Sequence, residues 1–237
     1  MEDSKKPLVA ITGASSGIGE ATAKLFSEAG YPLLLMARRL ERMTALGLPD
    51  ALCKKVDVTK VEQIHEAIEE AQAKYGPVDC MVNNAGLGCL GESWNQDLKE
   101  WEDMINVNIN GVLYGIHEVL PAMVARKHGT IINISSLAGR KSYGLHAVYC
   151  GTKFAVHAIT ETIHDEVAKF NVRVLVIAPA TTDTECITHT TSKQIQEDWW
   201  KAFEKPLRPE DVAKVIKFAY EQPQEVSVRE IVVTPTR

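Results

Sequence analysis

The apolar residues of this chain fall into two kinds of stretch that take turns along its length. One kind is short and mostly apolar, over residues 8–12, 33–37, 51–56, 78–82, 130–134, 172–177 and 231–233. These runs do not alternate apolar with polar, so each predicted strand is expected to bury both faces, as in a parallel sheet. The other kind spaces its apolar residues three and four apart. Over residues 18–29, Ile18, Ala21, Leu25 and Phe26 share a face, and Gly30 follows as a helix-ending residue. Over residues 61–74, Ile64, Ala67, Ile68 and Ala71 repeat that pattern before Gly76-Pro77 stops it. Further helices are predicted over residues 39–46, 101–126, 148–170, 192–203 and 209–221. The polar stretch 181–192 is expected to be a mobile loop.

Strand and helix alternate without a break in composition, repeat or linker. The pattern predicts one doubly wound α/β domain over residues 1–237, a seven-stranded parallel sheet with helices on both faces. A chain of 237 residues has room for such a core. Lys and Arg number 26 against 31 Asp and Glu, a net charge of −5, which argues against nucleic acid or an anionic membrane as partner. The five cysteines are odd in number and contain no C-x-x-C pair, so free thiols are expected and no disulfide framework or metal site. No apolar run reaches the ~20 residues of a membrane span. A cytoplasmic protein is expected.

Candidate chemistry clusters where the predicted strands end. Thr12-Gly13-Ala14-Ser15-Ser16-Gly17-Ile18-Gly19 joins the first strand to its helix. Glycines there let the backbone turn tightly and approach a pyrophosphate at the helix N-terminus, although a glycine cluster alone is often only a turn. The second strand ends at Ala37, followed by Arg38 and Arg39 rather than the acid that accepts from an NAD ribose hydroxyl. Two guanidinium groups suit a 2′-phosphate, so NADP(H) is favoured over NAD, against the alternative of a solvated helix start. Tyr149 and Lys153 lie four apart on one helical face, where a lysine can favour a phenolate, although such a pair is also common at surfaces. Ser135-Ser136 ends the fifth strand, with Ser136 13 residues before Tyr149. Asn83-Asn84-Ala85-Gly86 ends the fourth. Asn108 sits within an otherwise apolar helix and needs partners, either capping a kink or holding a water chain.

Together TGASSGIG, NNAG, NVN, the strand-five serines and YCGTK resemble the short-chain dehydrogenase/reductase family, a Rossmann-type fold, in order and spacing across essentially the whole chain. The resemblance implies an NADP(H)-dependent oxidoreductase moving hydride between NADPH and a small carbonyl or alcohol: an aldehyde, semialdehyde or 3-hydroxy acid. Tyr149 would be the general acid, Lys153 the group that holds the ribose and lowers the Tyr149 pKa, Ser136 the hydrogen-bond donor to the substrate oxygen, and Asn108 the holder of a linking water. Gly13, Ser15, Ser16, Gly17, Ile18 and Gly19 would receive the pyrophosphate. Arg38 and Arg39 would meet the 2′-phosphate, Asp57 and Val58 the adenine, and Asn84, Ala85 and Gly86 the cofactor ribose region. Pro179, Thr182 and Thr184 would sit near the nicotinamide. A homotetramer is expected, with a dimer as the alternative.

Within the family, residues 171–185 and the YCGTKFAVHAI run resemble a subgroup containing an NADPH-dependent blue fluorescent protein and clavulanate dehydrogenase. Two positions depart from the family pattern. Ala180 replaces a glycine, which places the backbone path of its loop in doubt. Cys150 replaces a serine or alanine and is expected to be a small buried thiol. Substrate contacts are expected from residues 87–90, Leu137, Tyr143, His146 and residues 181–189. Arg140 and Lys141 either draw an anionic substrate or are exposed charges on a turn. The competing reading is a non-catalytic NADPH-binding or sensor protein on the same fold. The set Asn108, Ser136, Tyr149 and Lys153 favours the enzyme, because a pure binder needs no proton relay.

Overall fold

A computed structural model of the protein describes residues 6–202 and 205–236. The apolar runs become β1 (Leu8–Thr12), β2 (Leu33–Ala37), β3 (Ala51–Lys55), β4 (Val78–Asn83), β5 (Gly129–Ile134), β6 (Val172–Pro179) and β7 (Glu230–Val233). They pair in parallel in one sheet, in the order β3-β2-β1-β4-β5-β6-β7. Neighbouring residues of a strand point to opposite faces, which builds two cores. Leu8, Ala10, Leu34 and Met36 pack under α3 (Val61–Tyr75), α5 (Gly111–Arg126) and α6 (Ala147–Val167). Val9, Ile11, Leu33 and Leu35 pack under α1 (Gly17–Glu28) and α8 (Pro209–Tyr220), around a fully buried Phe26. This is the expected doubly wound architecture. Burial on both faces holds for the inner strands but not for β3, where no residue is fully buried and Lys54 and Lys55 lie on the edge. Edge lysines discourage pairing with another chain.

The chain winds outward from β1 in both directions, so β1 and β4 are neighbours whose connections leave on opposite sides. Their carboxyl ends frame the crevice where such sheets bind ligands.

The long helix predicted over 101–126 begins earlier and is not uniform. It consists of α4 (Leu98–Ile105), a π-helical turn at Asn106–Asn110, and α5. Asp97 starts it by accepting a hydrogen bond from the Lys99 N–H at 2.9 Å. The widened turn falls where Asn108 bonds to backbone outside the helix, a recurrent reason for π-turns at functional sites. The helix predicted over 148–170 ends at Val167 and tightens into a 3₁₀ turn at Ala168–Phe170 before left-handed Asn171. The helix predicted over 39–46 shortens to α2 (Leu40–Thr44). The one predicted over 192–203 appears as α7 (Lys193–Lys201); its expected end, Phe203, lies outside the described residues. The stretch 181–192 is irregular but tied down. Thr182 bridges to Leu207, the Asp183 N–H donates to the Leu207 carbonyl at 2.9 Å, and Cys186–His189 forms a 3₁₀ turn. Among the described residues no helix is long and apolar enough to cross a membrane.

Candidate active site

A cleft of about 350 Å³ opens at the carboxyl edge of the sheet. All the expected site residues line it except Gly17, Gly19 and Asn108, which support it from behind.

Its floor is the β1–α1 turn. Gly13 and Gly17 have φ of +66° and +56°, a left-handed conformation that side chains disfavour. At Gly19 the limit is space: a Cβ there would lie 2.3 Å from the Gly13 carbonyl oxygen. Asn84 locks this packing from the end of β4, its Nδ2 donating to the Thr12 carbonyl at 2.9 Å. In return the Thr12 hydroxyl accepts from the backbone N–H groups of Asn84 and Ala85, each at 3.0 Å. Ser16 occupies the N-cap of α1, but its side chain does not cap the helix. It accepts instead from Arg39 Nη2 at 2.8 Å. The first N–H groups of a twelve-residue helix are thus left to a ligand beside a glycine-rich turn, which fits the pyrophosphate of a dinucleotide.

Arg39 also reaches the Ser15 hydroxyl at 3.4 Å, while Arg38 is exposed beside it. An acid does stand at this end of the cleft, but it arrives through space. Glu185, from the loop after β6, accepts from Arg39 at 2.7 Å and from Arg42 at 2.8 Å. These two guanidinium groups, Arg42 foremost, hold its carboxyl down at about 2. Asp57 is steadied by its Oδ1, which accepts from the N–H and hydroxyl of Thr59 at 3.0 and 2.8 Å.

At the other end, Tyr149 and Lys153 project from successive turns of α6 toward Ser136. Ser136 caps the 3₁₀ turn after β5, its hydroxyl accepting from the Ala138 N–H at 3.1 Å. Lys153 is buried; its Nζ donates to the Ile134 carbonyl at 3.0 Å and lies 5.8 Å from the centre of the Tyr149 ring. Gly86 is what lets Lys153 and Asn108 approach the same point: a Cβ there would lie 3.3 Å from Asn108 Oδ1 and 3.4 Å from Lys153 Nζ. Burial pushes the Tyr149 hydroxyl well above the ordinary phenol value, the Cys186 thiol adds to this, and a hydrogen bond from Ser136 draws it partly back. The expected lowering by Lys153 is not among these influences, and Tyr149 is held in its protonated form. Lys153 is itself shifted down by burial.

Asn108 does not face the cleft. Its side chain pairs with both backbone groups of Leu87, each at 2.9 Å, and donates to the Thr152 hydroxyl at 3.1 Å. It fixes the wall opposite Tyr149. Ala180 resolves the doubt about its loop: it is absent from the left-handed region, and its N–H donates to Val233 at 2.8 Å. Thr184 packs its methyl against Gly17, where a Cβ would lie 2.9 Å away. Cys150 is buried, as expected. Arg140 pairs with Glu230, and Lys141 sits over the Tyr143 ring; neither lines the cleft. The residues lining its substrate end include Leu87, Leu90, Leu137, Tyr143, His146, Ile187 and His189.

Thr12 and Thr152 are site residues to which sequence reasoning gives no role, whereas Glu185 and Cys186 fall in the expected stretch 181–189 but line the cleft as partners of Arg39 and Tyr149. Thr12 had a local signal, as the one polar residue closing an apolar run. The pairing of Glu185 with Arg39 had none, since the two are 146 positions apart.

Residues 7–195 match the short chain dehydrogenase family. An uncharacterised oxidoreductase of Staphylococcus saprophyticus is 41% identical over 244 aligned residues, covering 100% of this chain and 98% of its own. The closed form of a serine dehydrogenase complexed with NADP+ superposes with a TM-score of 0.89 at 30% identity, covering 95% of this chain and 94% of that one. An alcohol dehydrogenase from the archaeon Thermococcus sibiricus complexed with 5-hydroxy-NADP gives 0.84 at 27% identity, covering 96% of each chain. With that match running through the glycine turn, the β4 end and the Ser136–Tyr149–Lys153 corner just described, the chain belongs to the short-chain dehydrogenase/reductase family and is an oxidoreductase of that type.

Proposed function

We propose that the protein is an NADP(H)-dependent oxidoreductase that interconverts a small carbonyl compound and its alcohol. The observation that carries this reading is the placement of Ser136, Tyr149 and Lys153 at one end of a cleft whose other end is a glycine turn flanked by Arg38 and Arg39. The nicotinamide, when bound, supplies hydride. Gly13, Ser15, Ser16 and Ile18, which line the cleft, would hold the pyrophosphate, Arg38 and Arg39 the 2′-phosphate, and Asp57 the adenine end. Ser136 and Tyr149 present two hydroxyls to one substrate oxygen, and the Tyr149 proton is the one given up as that oxygen gains charge. Lys153, behind Tyr149, stabilises the phenolate that remains. Asn108 keeps the Leu87 wall in register.

Apolar walls and the engagement of Arg140 by Glu230 favour a neutral carbonyl over a carboxylate-bearing one. The test is NADPH and NADH oxidation against paired panels of neutral and carboxylated aldehydes and ketones. NADPH with the neutral panel should be turned over fastest. Arg39→Ala should weaken NADPH binding by about 10- to 100-fold, the worth of a charge-assisted contact, with little effect on NADH. Equal use of both dinucleotides by the wild type, unmoved by Arg39→Ala, would overturn the NADP(H) reading.

The assembly reading is a homotetramer, with a dimer as the alternative. Val156 on α6 is fully buried, yet Phe154 two residues earlier is 45% exposed, and Ile105 and Leu113 on the α4–α5 helix are 43% and 37% exposed. Light scattering at micromolar concentration should give a mass above the monomer, and Phe154→Glu should lower it. A monomeric, fully active wild type would refute the assembly.

A further inference from the structure

Three consecutive residues after β6 touch three separate parts of the cleft. The Thr184 methyl lies against Gly17, the Glu185 carboxylate lies on Arg39 and Arg42, and the Cys186 thiol lies beside the Tyr149 hydroxyl. Glu185 uses both oxygens, Oε2 on Arg39 at 2.7 Å and Oε1 on Arg42 at 2.8 Å. Arg39 is therefore partly neutralised by the chain itself at the point where a 2′-phosphate is to be read. We propose that Glu185 is a determinant of cofactor choice, an internal anion that occupies Arg39 and that an incoming 2′-phosphate must displace. This rests on the reading of Arg39 as part of the 2′-phosphate site.

The geometry makes the exchange feasible. The side chains of Arg39 and Glu185 are 39% and 44% exposed, so the carboxylate can swing into water without unpacking the core. Pairs this exposed are weak, which suits a contact that is made and broken on each binding event. Left in place, the carboxylate would face a phosphate of like sign across one guanidinium. An NADH ribose brings no competing charge and leaves the Glu185 pairs as they are. Glu185 thus penalises NADPH selectively. It also gives the arginines a partner once the phosphate departs, which eases release of the product dinucleotide, a step that often limits turnover.

The experiment is a fluorescence titration of NADPH and NADH on the full chain for wild type, Glu185→Gln, Arg39→Ala and the double variant. Glu185→Gln keeps size and polarity at an exposed position and removes only the charge. It should tighten NADPH about three- to tenfold and leave NADH within twofold, with most of that gain lost in the double variant. NADPH affinity unchanged or weakened by Glu185→Gln would overturn the role. Equal weakening of both dinucleotides would also overturn it, marking Glu185 as a clasp over any bound cofactor. A wild type that binds the two dinucleotides equally, with no response to Arg39→Ala, would instead overturn the underlying 2′-phosphate reading.

Discussion

Tyr149→Phe should lower turnover by about 10²–10⁴, the usual worth of a positioned general acid, and leave NADPH binding within twofold. The ring stays, so the wall beside Gly88, where a Cβ would lie 3.3 Å from the Tyr149 ring, keeps its packing. Only the hydroxyl goes, and with it the proton that burial holds on the oxygen well above the ordinary phenol range. Ser136 can still donate to the substrate oxygen, which explains a large residual rate rather than none. Single-turnover NADPH oxidation measures chemistry, and cofactor titration measures binding. Wild-type turnover in the chemistry-limited assay would refute Tyr149 as the acid.

Lys153→Met should combine opposite effects on activity and stability. Turnover should fall by at least about 10², and NADPH binding should weaken as well, because the ammonium is placed to serve both the phenolate and the ribose. Thermal stability should nonetheless rise. Methionine keeps the packed stem, while the wild type buries an ammonium against the Ile134 carbonyl. Burial depresses the Lys153 pKa below 10.5, so the folded state disfavours the charge. That penalty is fully present below the depressed folded value and fades as pH rises through it toward 10.5, where the unfolded lysine also loses its proton. The melting temperature of the variant should exceed the wild type by about 2–4 °C at neutral pH, the equivalent of ~1 kcal/mol in a chain of this size. The gap should close in alkali. A destabilised Lys153→Met at pH 7 would show that the ammonium is a net structural anchor.

The elements were legible because their signals are local. Apolar periodicity, a glycine after α1 and Gly76-Pro77 after α3 act over three to five residues, and the chain carries them whatever surrounds it. The glycine turn, the β4 end and the Tyr149–Lys153 pair were legible for the same reason, each motif sitting within one turn or one connection. The strand–helix alternation then placed them at one sheet edge, since a parallel sheet puts every strand's carboxyl end on the same side.

Other features depend on distances that no local pattern carries. The π-turn at Asn108 exists because its amide pairs with Leu87, 21 positions back. Arg140 was a candidate for an anionic substrate until Glu230, 90 positions on, took it. Lys54 and Lys55 read as part of a buried strand, yet β3 is an edge because the sheet turns back at β1.

By itself, then, the sequence determined the fold class, the seven strands and the corner of the sheet where hydroxyl, phenol and ammonium meet. Only the tertiary structure decided which charges face one another and which groups lose water. Glu185 becomes part of the Arg39 site, and Tyr149 retains its proton, because Coulomb energy and desolvation depend on separation and enclosure in space rather than on position along the chain.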